Sequence, residues 1–87
     1  MPYVLRHKDT GEIAAAVLRN VYDLDYYGAA WWATEEEAAA AAPLGWQPLE
    51  VKDAKLKVFN VKLNNDASRK LFLDDDGTLR VETSSAR

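Results

Sequence analysis

The chain contains no cysteine, which excludes disulfides, thiolate metal sites, redox switching and a cysteine nucleophile together. His7 is its single histidine, so no zinc-type ligand set can be assembled from imidazole and thiolate, and no metal or cofactor is expected. Glycine is scarce, at positions 11, 28, 45 and 77, one to a turn, and no phosphate-cradling loop can be built from glycines so dispersed. Ser68, Ser84 and Ser85 sit in turn-like or terminal sequence outside any nucleophile-elbow pattern. Long apolar runs are missing too. Tyr3-Val4-Leu5 is followed at once by Arg6-His7-Lys8, which is neither the apolar stretch of a signal peptide nor a membrane span, and the expected location is the cytoplasm.

What remains is 87 residues, 48% of them hydrophobic, with a net charge of −3. Fourteen of the hydrophobic residues are alanine, so the heavy packing must come from Leu, Val, Ile, Phe, Tyr and Trp. A chain of this size supports one small core, and a single domain over residues 1–82 is expected, with 83–87 as a frayed tail. Charge is unevenly placed. Residues 1–50 carry three Lys/Arg against eight Asp/Glu, while residues 51–87 carry eight against six.

Residues 3–8 and 12–22 are β-rich and flank Asp9-Thr10-Gly11, which suits a tight reversal; the imperfect alternation of the second segment predicts a bulge. A short strand is expected over 29–33. Thr34-Glu35-Glu36-Glu37 is a capping box, alanine from 38 to 42 continues a helix at the best propensity, and Pro43 and Gly45 end it. The connection from Ala33 to Trp46 is long enough for a right-handed crossover between parallel neighbours. Strand 46–52 contains Pro48 and so belongs at an edge or a bulge. Residues 55–63 alternate in a pattern that predicts a bulged strand. Asp74-Asp75-Asp76-Gly77 marks a final hairpin between 70–73 and 78–82; the glutamate that a calcium-binding loop needs six residues after its glycine is Thr83 here. The expected fold is therefore α+β: a small, twisted, mostly antiparallel sheet in the order β-β-β-α-β-β-β-β, with one short alanine-rich helix on one face.

Five of the nine aromatic residues fall between Tyr22 and Trp32, interleaved with Asp23 and Asp25. Tyrosine and tryptophan serve a core or a contact surface equally well, and Trp31 and Trp32, as strand neighbours, point to opposite faces. Tyr22, Asp23, Asp25, Tyr26, Tyr27, Trp31 and Trp32 are the candidate binding residues. They point to a non-catalytic binding or protein-interaction module whose partner is another protein or a second copy of the chain, with no membrane involved. An alternative is weak binding of single-stranded nucleic acid by the basic segment, with Lys55, Lys57, Lys62, Arg69 and Lys70 on phosphates and Phe59 stacking on bases. A second is a small enzyme near Tyr22–Tyr27, in which Asp23 and Asp25 would supply acid and base beside Tyr22 and Tyr26.

Overall fold

The computed structural model describes residues 1–83, and among them seven strands and two helices form two antiparallel sheets with helical cover. An interior strand of the larger sheet is β1 (Tyr3–His7), whose alternation of Val4 and Leu5 between the two faces lets it bury side chains on both. Along one edge of β1 runs β5 (Trp46–Glu50), antiparallel, with Val4 opposite Leu49 and Arg6 opposite Gln47. Along its other edge lies β2 (Glu12–Ile13), followed by β6 (Arg69–Leu73) and β7 (Leu79–Thr83), giving the order β5-β1-β2-β6-β7. Pro48 sits in β5, an edge strand, where its missing N–H interrupts no ladder.

The chain changes sheets at Ala14. Its N–H donates to the Leu5 carbonyl and its own carbonyl accepts from Ala30, each at 3.0 Å, so the next residues leave β1 and β6 behind. They become β3 (Ala15–Arg19), which pairs with β4 (Asp25–Ala29) in a two-stranded ribbon that places Val17 opposite Tyr27 and Arg19 opposite Asp25.

Two helices cover opposite sides of the larger sheet. Helix α2 (Asp53–Leu63) lays Phe59 and Leu63, both fully buried, against Val4, Ile13, Ala29, Val51 and Leu71, and this cluster is the main core. Helix α1 (Glu35–Ala41) packs on β1 and β5; its buried Ala38, together with Leu5 and Phe72, lies outside that cluster, on the reverse face. The Thr34 hydroxyl caps α1 by accepting from the Glu37 N–H at 3.2 Å, and Glu37 turns its carboxylate to the same hydroxyl rather than to the cap amide.

The α+β class is as the sequence predicts, with four differences in detail. Residues 55–63 are helix, not a bulged strand, because Leu56, Phe59 and Leu63 fall on one side of a helical turn and the αL residue Asn64 ends it. The strand expected at 29–33 lies earlier, at 25–29, with Trp32 joined to Tyr3 by a single bridge. The bulge expected in 12–22 is a complete break at Ala14. No parallel crossover spans 33–46, since β5 is antiparallel to β1 and lies in a different sheet from β4. Of the expected tail, Thr83 ends β7, and residues 84–87 lie outside the described residues.

Candidate functional site

The β3–β4 ribbon carries the cluster from which the binding surface is expected. Its tip is held in one shape by short local bonds: the Asn20 side chain accepts from the N–H groups of Tyr22 (2.8 Å) and Leu24 (3.1 Å), and Asp23 adopts φ +65°. Around that framework Val21 is 93% exposed and Tyr22 79%, with Leu24 and, on the strand, Val17 also in solvent. The carboxylates of Asp23 and Asp25 do not converge on a pocket. Both meet Arg19, at 3.2 Å each, so one cation offsets one of the two negative charges and the tip keeps exposed apolar side chains beside a residual charge of −1.

Tyr26 and Tyr27 lie on opposite faces of β4, both half-buried. Tyr27 turns toward the core cluster and its hydroxyl donates to the Arg69 carbonyl at 3.2 Å; burial, with Glu12 and Asp66 nearby, pushes the phenol above its ordinary pKa. It is therefore a packing residue. Trp31 and Trp32 lie beyond the end of β4 and are not strand neighbours: Trp31 remains 47% exposed and lines a cleft of about 310 Å³ with Met1, Asp53 and Leu56, while half-buried Trp32 is bridged to Tyr3.

The basic segment does not assemble into a surface. Phe59 is fully buried in the core and cannot stack on a base. Arg69 is committed to the Lys62 carbonyl at 3.0 Å and to Asp66 at 3.6 Å. Lys70 pairs across to Glu82 on the sheet face turned away from α2, whereas Lys55, Lys57 and Lys62 are on α2 itself. The three adjacent aspartates also diverge. Asp74 faces Arg80, Asp75 binds Arg6, and Asp76 accepts from the Thr78 N–H, which holds its carboxyl below the ordinary range. Among the described residues no three His, Asp or Glu side chains are grouped to hold a metal ion.

A feature that the sequence reading did not find lies on the core face of the sheet. α2 packs chiefly over β4 and β6, and Leu49 and Leu73 stay half-buried beside it. They floor a groove of about 530 Å³ walled by Val51, Ala54 and Val58. A second depression of about 250 Å³ shares Leu49, Leu73 and Gly77 with it and runs on to Arg6. The signal that could have found it is Arg6 itself, a charged residue on the same strand face as Val4. No helix among the described residues is long and apolar enough to cross a membrane. Comparison with known protein families, with curated proteins and with solved structures finds no match.

Proposed function

We propose that the protein is a small non-catalytic interaction module of the cytoplasm that grips another protein with its β3–β4 ribbon. One observation carries this reading: Val21, Tyr22 and Leu24 are exposed together on a tip whose backbone is already fixed by Asn20 and by the two Arg19 ion pairs. Contiguous apolar side chains on a small domain mark contact surfaces, and a pre-ordered loop gives up little entropy on binding. The cytoplasmic assignment is supported by the lack of cysteine, since small secreted domains rely on disulfides.

The test is site-specific photo-cross-linking in extract of the source cell, with a benzophenone side chain placed at Tyr22 or, as the comparison, at Lys70 on the far face. A discrete adduct from position 22, lost when Leu24→Ser is added, is the expected result. Equal labelling from both positions, or none from position 22, would overturn the reading.

A further inference from the structure

Arg6 is a charged residue at one end of a trough floored by Leu49 and Leu73. Its side chain is only 16% exposed, and its Nε donates to the Leu73 carbonyl at 2.9 Å, which fixes the plane of the guanidinium. Gly11 backs it, and a Cβ there would stand 3.1 Å from Nη2, so the glycine leaves room for the arginine's outer edge. That edge is occupied by Asp75 Oδ1 at 3.0 Å. Asp75, however, is on the β6–β7 turn with its side chain 99% exposed, so it can swing into water at little cost. A half-buried cation is thus matched to a carboxylate that is itself fully hydrated and replaceable. From Arg6 the trough runs over Leu73 and Leu49 to Val58, an apolar floor rimmed by Glu50, Lys52 and Lys55.

We propose that this trough binds an unbranched aliphatic monocarboxylate of medium chain length. Its carboxylate takes the place of Asp75 on the guanidinium fork, which suits two carboxylate oxygens, and its chain covers Leu73, Leu49 and Val58. The combined volume is that of ordinary small-molecule sites; the floor is apolar, with Glu50, Lys52 and Lys55 around the wider part and Gln47 and Asp74 beside Arg6. The ribbon proposed above lies elsewhere on the molecule, so either proposal can fail without the other.

Sodium octanoate titrated into ¹⁵N-labelled protein provides the test, with hexanoate, decanoate and 1-octanol as comparisons. Saturating shifts are expected at the amides of Leu49, Val51 and Leu73. Affinity should rise roughly two- to fourfold per added methylene, the gain for burying part or all of each group. Octanol should bind at least about tenfold more weakly than octanoate, because it brings no charge to Arg6. Asp75→Asn removes the internal competitor and should tighten octanoate binding severalfold, while Arg6→Lys should weaken it about tenfold. Should Arg6→Lys fail to fold, the Asp75→Asn variant decides alone, since it alters only an exposed turn. Shifts that do not saturate, equal binding of octanoate and octanol, or an Asp75→Asn variant with unchanged or weaker affinity would each overturn the proposal.

Discussion

Phe59 shows how the value of one side chain depends on where its element places it. Read as a strand residue amid lysines it is a stacking platform; on α2 it is the largest fully buried side chain among the described residues. Phe59→Ala is expected to cost about 3–5 kcal/mol in urea denaturation, whereas Lys57→Ala, on the solvent side, should change stability by less than about 0.5 kcal/mol. Asn60, one position on, does different work. Its Oδ1 accepts the Ala29 N–H at 2.9 Å, and Asn65 does the same for the Tyr27 N–H, so two side chains complete the outer edge of β4. Asn60→Ala leaves a partly buried amide without an acceptor and should cost about 1–3 kcal/mol, with faster hydrogen exchange at Ala29 as the local readout. Neither asparagine is legible as an edge seal in the sequence, because the pairing joins positions more than thirty residues apart. The role of Arg19 was hidden for a related reason: only in the folded ribbon does it come between Asp23 and Asp25.

Among the elements, α1 and the β6–β7 hairpin were legible because their signals are local. Thr34 with the following glutamates announces a helix start, and Asp-Gly a reversal. Thr34→Ala should cost about 1 kcal/mol, read from the same denaturation curves. Gly77 has φ +89° and no atom near its absent side chain, so Gly77→Val is strained through the backbone alone and should destabilise more than Asp75→Ala. α2 was not legible because its exposed face carries Val58 and Val61, and these fill the gaps in the stripe of Leu56, Phe59 and Leu63 until the run alternates like a strand. Valine also favours strands by propensity. Tertiary burial of one stripe overrides both signals. The trough was only partly legible: Arg6 on the strand face of Val4 is its one local signal, while the placement of α2 relative to Leu49 and Leu73 is a matter of tertiary packing that no local pattern encodes.

For the molecule as a whole, acid sensitivity follows from two loops. Asp66 accepts from the Ser68 N–H at 3.0 Å and hydroxyl at 2.7 Å, and Asp76 from the Thr78 N–H; these bonds hold both carboxyls below their ordinary pKa. A group lowered on folding stabilises fully above its unfolded pKa, near about 3.9, and that contribution is lost as pH falls through the folded value. Urea midpoints should therefore decline modestly below about pH 4, and that decline should be smaller in Asp66→Asn and Asp76→Asn. Tyr27 runs the other way: its raised pKa preserves stability up to about pH 10 and forfeits it as the phenol ionises above that.

The strand order has a consequence for synthesis. β2, near the start of the chain, obtains its outer neighbour only from residues 69–73, because β6 inserts between β2 and β7. While the chain is still being made, β1 can pair with β2 and later with β5, but the far side of β2 has no partner until most of the polypeptide has left the ribosome. Leu71, fully buried, arrives with that same segment. The main core is therefore completed late, by Leu71, and a released polypeptide truncated after residue 68 is expected to remain sensitive to protease while the full-length chain resists it.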